Sequence, residues 1–425
     1  MLNYLWLGFF VIAAIAAVIR LLGGDVDVFA DMVASLFEMA KTSVDIMIVL
    51  FGTLTLWMGL LKIAEKAGLI EILAKLLGPL FQRLMPEVPK GHPAIGLITL
   101  NFTANALGLD NAATPIGLKA MKSLQELNPV KTVATNAQIL FLVLNASSLT
   151  LLPITIFIFR AKYDAPDPTM VFLPILLATS ASTLAGLLSV AFMQRLRLLD
   201  PIVLLWFAGI GFFIGVFVCI SVGLTTTSYY LINQLIHFLW LENTSLATFS
   251  SLVGNITLFG IILLFLSVGA YRKVPVYDAF IEGAKEAFEV AKNLLPYLVA
   301  MLCAIGVLRA SGALDYFLEL IRQLFHFFGT DTRFVDALPT ALVKPFSGSG
   351  ARGMMIETMQ HYGVDSFPAL VAATMQGSTE TTFYVLAVYF GSVGIQRVRH
   401  AVGCALFCDL VGVVASILIC YWFFG

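Results

Sequence analysis

Long apolar runs broken by short polar islands restrict this chain more than any other feature of its sequence. Several runs reach the roughly 20 residues that cross a bilayer. Hydrocarbon offers nothing to pair with a backbone N–H or C=O. A break in a membrane helix must therefore be buried in protein or line a wet cavity. The most polar island is KPFSGSGARG at 344–353, which sets Lys344, Ser347, Ser349 and Arg352 among glycines behind Pro345. A second, TMQGSTETT at 374–382, carries Gln376, Ser378, Thr379 and Glu380 inside an apolar segment. The first half holds a matching pair. NFTANALGLDNAAT at 101–114 presents Asn101, Thr103, Asn105, Asp110 and Asn111. TNAQ at 135–138, with Asn136 and Gln138, runs on to NASS at 145–148. The four runs are expected to form one solute site near the middle of a membrane.

Composition agrees with a polytopic membrane protein. Of 425 residues, 59% are hydrophobic and 12% charged, where a soluble protein would carry roughly 25% charged residues. A net charge of −1 leaves no basic face for nucleic acid. The first apolar run lacks a basic leader and a small-residue cleavage site, so it reads as a retained span. The five cysteines sit in apolar runs. Cys404 and Cys408 lie one helical turn apart with no further ligand nearby, so neither a metal site nor a disulfide framework is expected.

In chain order, 3–22 reads as a first helix, 26–43 as an interfacial amphipathic helix and 44–61 as a second span. Residues 62–92 are amphipathic again. Residues 93–124 are apolar at both ends and polar in the middle, as a discontinuous or re-entrant pair would be. Spans follow at 133–159 and 171–193. Residues 202–223 and 247–270 read as a hairpin, with His237 in its link as an interfacial belt residue.

The second half then replays the first. EMAK at 38–41 matches EVAK at 289–292, and AGLIEILAKLLGPLF at 67–81 matches SGALDYFLELIRQLF at 311–325. The 344–353 island falls where LNFTANALGLDN falls, and ATMQGSTETT where ATNAQILFLV falls. The offset drifts from 251 through 244 to 239. Basic residues favour the cytoplasmic side. The first repeat opens with one Lys/Arg in 23–43 and the second with four in 272–292, while 62–92 has five against three in 309–336. The bias flips, so the repeats are expected to be inverted. The expectation is an all-α fold of about nine full spans, with discontinuous or re-entrant helices and interfacial amphipathic helices. It divides into an N-terminal transmembrane helix (1–25), a first repeat (26–198), a connecting hairpin (199–271) and a second repeat (272–425).

NFTANALGLDNAATPIGLKAMKSLQELNP with TNAQILFLVLNASS resembles spore maturation protein A. KPFSGSGARGMM with MQGSTETTFYVLAVYFGSVG resembles spore maturation protein B. Both halves look like the nucleoside-recognition or gate domain, found also in concentrative nucleoside transporters and ferrous iron permeases. The resemblance implies helical hairpins, broken helices and inverted repeats. QGSTETT is similar to a hairpin of the nucleoside carriers, which implies that Gln376, Thr379 and Glu380 contact solute or coupling ion. It also hints at a homo-oligomer, with the 202–270 hairpin forming the contact.

Half-helix N-termini would point positive dipole ends into the site. Lys344 and Arg352 would pair with an anionic solute, or with acids such as Glu357. Glu380 is a candidate proton carrier, or makes a structural hydrogen bond to a facing Thr or Asn. Asp110 would bind Na+ with Asn101, Thr103 and Asn105, or pair with Arg352. Asn136, Gln138, Ser347, Ser349 and Ser378 complete the candidate lining; such groups also serve as interhelical glue.

The expected function is a secondary active transporter or exporter of a small polar solute, nucleoside-like, peptide-like or carboxylated. It would work by alternating access coupled to H+ or Na+, in a bacterial cytoplasmic (inner) membrane. The alternative is a non-transporting receptor or scaffold that recognises a small ligand or partner protein. An enzyme is not expected: no His lies near Ser347 or Ser349 in sequence and no HExxH occurs. No cofactor beyond the coupling ion is implied, and the partners are the solute and the lipid bilayer.

Overall fold

The computed structural model describes residues 2–108, 110–196, 198–206 and 245–425, with isolated positions between 208 and 215. Its elements are helices: α1 (Leu2–Leu22), α2 (Val28–Lys66), α3 (Leu69–Leu84), α4 (Pro93–Ala106), α5 (Asp110–Glu126), α6 (Asn136–Ser147), α7 (Ile154–Lys162), α8 (Phe172–Gln194) and α9 (Leu246–Tyr271). Then come α10 (Val276–Ala310), α11 (Ala313–Phe327), α12 (Leu338–Val343), α13 (Gly348–Tyr362), α14 (Phe367–Ser378), α15 (Thr382–Ser392) and α16 (Ala401–Phe424). The order from α2 to α8 is repeated from α10 to α16. Each repeat opens with a long helix that ends at a left-handed glycine, Gly68 at φ 74° and Gly312 at φ 77°. Gly312 turns the second half of α10 into α11 through 70°.

Equivalent helices of the two copies pack against each other, and they run in opposite directions. In α2 and α10, a Cβ on Gly306 would meet Met39 at 2.6 Å, and one on Gly283 would meet the Met58 carbonyl oxygen at 2.3 Å. Position rises in one helix as it falls in the other. In α8 and α16, Gln194 meets His400 at 3.1 Å, and a Cβ on Gly186 would meet Cys408 at 2.5 Å. Closer to the C-terminus of α16, Ser182 faces Gly412. The buried face of α16 is a stripe of small residues four apart: Cys404, Cys408, Gly412, Ser416 and Cys420. Small residues let membrane helices approach closely where no hydrophobic driving force pulls them together. An element crossing its own copy antiparallel is the signature of an inverted repeat.

The chain forms two compact units, and each draws on both repeats. One comprises residues 1–66, 155–166 and 269–376, and the other 67–154, 167–268 and 377–425. In the first, the end of α7 from repeat one docks on the loop before α14 of repeat two. Arg160, fully buried, donates to the Val364 carbonyl at 3.0 Å and to Asp365 at 2.8 Å. In the second, the loop after α15 of repeat two docks on the loop before α6 of repeat one. Here Gln396 N donates to Thr132 O at 2.9 Å, Ala134 N to Arg397 O at 3.0 Å and Arg399 to Ala134 O at 3.1 Å. The second unit's core runs along α6, whose residues from Ala137 to Ser147 are all buried.

Several expectations change. The amphipathic segment 26–43 and the span 44–61 are one unbroken 39-residue helix, α2, because no proline or helix-ending glycine separates them. The span 133–159 is instead two helices around a non-helical link. Ser148 takes a left-handed conformation at φ 38°, and Pro153 lacks the N–H that would continue the ladder. Among the described residues α2, the Pro168–Gln194 helix, α9 and α16 are long and apolar enough to cross a membrane, with a fifth if the bent α10–α11 pair counts. Breaks account for much of the shortfall from nine. The first half of the 202–270 hairpin and His237 lie outside the described residues. The register of the last repeat match also shifts. Aligned on α6 and α14, Asn145 falls on Gln376 and Ser148 on Thr379, an offset of 231 rather than 239. NASSLT therefore pairs with QGSTET.

Candidate functional site

Three chain breaks gather in the second unit. α4 ends at Ala106 and α5 begins at Asp110, with Gly108 between them at φ 75°. Leu151, in the link after α6, donates its N–H to the Ala106 carbonyl at 3.0 Å. Glu380, in the link between α14 and α15, donates its N–H to the Ala146 carbonyl at 2.8 Å. Each link thereby satisfies backbone that a helix end leaves open. Thr179 of α8 holds the first link, accepting from Thr150 N at 3.2 Å and donating to Ser148 O at 2.7 Å.

Amides and one phenol surround these breaks. Asn105 Nδ2 donates to Asn145 Oδ1 at 2.8 Å, and the Tyr389 hydroxyl donates to the same oxygen at 3.3 Å. Asn101 Nδ2 donates to the Ala113 carbonyl at 2.8 Å and to the Tyr389 oxygen at 3.4 Å. Gly117 makes room for this contact, since a Cβ there would lie 2.4 Å from the Tyr389 hydroxyl. Asn101 Oδ1 and Thr103 Oγ1 are buried without a partner. Buried polar atoms without a partner are rare and costly, which sets this pair apart from the satisfied amides around it. The Glu380 carboxylate accepts from Thr381 N at 3.0 Å and makes no ion pair among the described residues. It sits in the link itself, rather than within a span. Thr382 donates to Asp409 Oδ2 at 2.8 Å. Ser378 and Thr379 are buried against Gly412.

The other candidates fall elsewhere. Asp110 and Asn111 open α5, but their side chains lie outside the described residues. Gln138 forms a capping box with Thr135, whose N–H it accepts at 2.9 Å, at the far end of α6 from the break. Asn136, beside it, donates to Glu87 at 2.5 Å. In the first unit, Lys344 is buried and donates to the Gln376 carbonyl at 2.9 Å. Ser347 caps α13 by accepting from Gly350 N at 3.0 Å and lies 3.3 Å from Ser349. The Arg352 guanidinium lies 6.0 Å from the Phe159 ring. Glu357 is claimed by Arg309 at 2.9 Å. The polar runs thus divide between units: 101–114, 135–148 and 377–382 in one, 344–353 with Gln376 in the other. Among the described residues no group of three His, Cys, Asp or Glu could hold a metal.

Sequence reasoning missed Tyr389, Asp409 and Arg160. Asp409 was findable by the rule that singled out Glu380, a carboxylate inside an apolar helix. Tyr389 had no such signal, because an aromatic at helical spacing reads as core.

Apolar helices of spanning length, opposed copies and breaks closed on one another define a polytopic membrane protein with a helical-hairpin architecture. The family model for nucleoside recognition, named Gate, matches residues 47–162 and 291–396, a little over half of the chain, and the chain belongs to that family. The two stretches begin 244 residues apart, the interval between Gly68 and Gly312. Over 181 residues the chain is 45% identical to spore maturation protein B of Bacillus subtilis strain 168, a match covering 43% of this chain and 95% of that protein. Over 188 residues it is 36% identical to spore maturation protein A of the same organism, covering 44% of this chain and 93% of that protein. No solved structure matches it.

Proposed function

We propose that the chain is a secondary carrier for a small polar solute in the bacterial inner membrane, working by alternating access and coupled to H+ or Na+. It acts without enzymatic chemistry and without a resident cofactor. The observation that carries this reading is the meeting of three broken helices around Asn101, Thr103, Asn105, Asn145 and Tyr389, with Glu380 in one of the breaks. Broken membrane helices place backbone dipoles and carbonyls where solute and ion bind. A carboxylate at such a break can take up a proton or an Na+ on one side and release it on the other. The family's nucleoside-recognition description makes nucleosides the first solutes to try. In proteoliposomes, uridine and adenosine uptake is expected to respond to a pH or Na+ gradient and to fall sharply in Glu380→Gln. Uptake that ignores both gradients, or is unchanged in Glu380→Gln, would sink the coupling assignment. Ligand-dependent thermal stabilisation without flux would favour a receptor instead.

A further inference from the structure

A cleft of about 460 Å3 opens in the second unit at the N-terminus of α6. Its polar lining includes Glu87, Asn128, Thr135, Asn136 and Arg399. A larger neighbour, about 730 Å3, shares Glu87 and Asn136 and adds Arg195 and Asp200. Asp200 is already paired with Arg83 at 3.3 Å. Glu87 and Arg399 differ from that pair. They carry opposite charges and line the same cleft, yet neither forms an ion pair with the other or with any described residue. Arg399 spends one nitrogen on the Ala134 carbonyl at 3.1 Å. Its backbone is held at φ 52°, a left-handed conformation that a non-glycine residue adopts at some cost. Asn136 gives its amide N–H to Glu87 and leaves its side-chain oxygen buried without a donor. His400, next along, is held below its ordinary value by burial and by the Arg399 charge, so it adds no cation at neutral pH.

The geometry points to a binding site for a small zwitterion in this cleft, with its ammonium on Glu87 and Asn136 and its anionic end on Arg399. An acid and a base that line one cavity without pairing suit a guest that carries both charges; a purely anionic or cationic guest would leave one of them beside its own sign. The volume is in the range of ordinary small-molecule sites. This site is distinct from the break cluster around Glu380, and it holds whether or not the chain moves solute. The same chemistry could arrive as a free amino acid or peptide, or as the headgroup of an aminophospholipid.

The test uses the purified full chain in detergent with glycylglycine, N-acetylglycylglycine and glycylglycinamide in titration calorimetry. Glycylglycine is expected to bind saturably, and each blocked peptide about tenfold more weakly, the equivalent of one charge-assisted contact. Glu87→Gln should abolish the discrimination against acetylation, and Arg399→Gln the discrimination against amidation. Arg399→Lys should keep the latter, which separates charge recognition from damage to the Ala134 clamp. Reconstitution in nanodiscs of phosphatidylglycerol with or without phosphatidylethanolamine then identifies the source. Loss of glycylglycine binding only with phosphatidylethanolamine assigns the site to a lipid headgroup, and retained binding assigns it to a soluble zwitterion. Equal affinity for all three peptides, or no saturable binding of glycylglycine, overturns the proposal.

Discussion

The equivalent helices α6 and α14 keep one length and differ in the link that follows them. α6 and α14 are each 12 residues long and end in serines at equivalent positions, Ser147 and Ser378. Beyond that point copy one reads Ser148-Leu149-Thr150 and takes until Ile154 to resume a helix, while copy two reads Thr379-Glu380-Thr381 and resumes at Thr382. Copy one's longer link is anchored by Thr179. Copy two's shorter link carries the acid, and Leu149 stands opposite it in the alignment. Duplication has kept the scaffold, the serine at the break and the antiparallel seams. The ionisable group survives or arose on one side only. The frame is symmetric and the chemistry it carries is not.

The seams offer the largest test of this comparison. Gly283→Ala drives a Cβ into the Met58 backbone carbonyl, which has no way to retreat. A loss of about 3 kcal/mol or more is expected, seen as disappearance of the monodisperse peak in detergent size exclusion. Gly186→Ala meets side chains rather than backbone, the Cys408 sulfur at 2.5 Å and a Val143 methyl at 3.1 Å. It should cost about 1–2 kcal/mol and be restored by adding Cys408→Ala, read as the melting temperature of single and double variants. Equal and unrescued losses at both would mean that the seams are not alternatives of one design.

The clamps come next. Arg160 is fully buried and donates to both Val364 and Asp365, whereas Arg399 is exposed and donates to Ala134. Arg160→Ala is expected to cost about 3 kcal/mol and Arg399→Ala about 1 kcal/mol, measured by thermal melting in a common detergent. A larger effect at Arg399 would reverse the ranking. The breaks themselves are compared by flux. Glu380→Gln should lower uptake at least about tenfold, near 1.4 kcal/mol of barrier, while Leu149→Gln stays within about twofold. Matching losses would show that position, and not charge, matters at the break. Tyr389→Phe, which removes the hydroxyl shared by Asn101 and Asn145, should cost about 1 kcal/mol, read as the melting temperature in detergent.

Much of this architecture is legible in the sequence, for a physical reason. Lipid penalises an unpaired backbone, so the island at 101–114 had to be a break, and it is one. The glycines before α3 and α11 announce their turns through a shared motif. Other features have no local signature. Helical periodicity is continuous through 26–61, so nothing marks whether that stretch is one helix or two until its neighbours are known. Leu149 to Pro153 reads as part of a span because its side chains are apolar; the break lies in the backbone. The repeat register slipped by eight residues for a related reason, since apolar stretches match one another at many offsets. Around the site, residue types pointed to Asn101, Thr103, Asn105 and Glu380, which the fold gathers about adjacent breaks. They could not separate Gln138, a helix cap, from Asn145, which lies among the breaks, because the same amide serves both purposes.

The exchange of helices between the repeats has a consequence for the history of the gene. Each unit is finished by pieces of the other half, α2 and α7 in one case and α15 and α16 in the other. Neither half contains everything it needs, so neither could be shed or duplicated alone without leaving an unfinished partner. A single open reading frame guarantees that the two pieces are always made together, in equal number and within reach of one another.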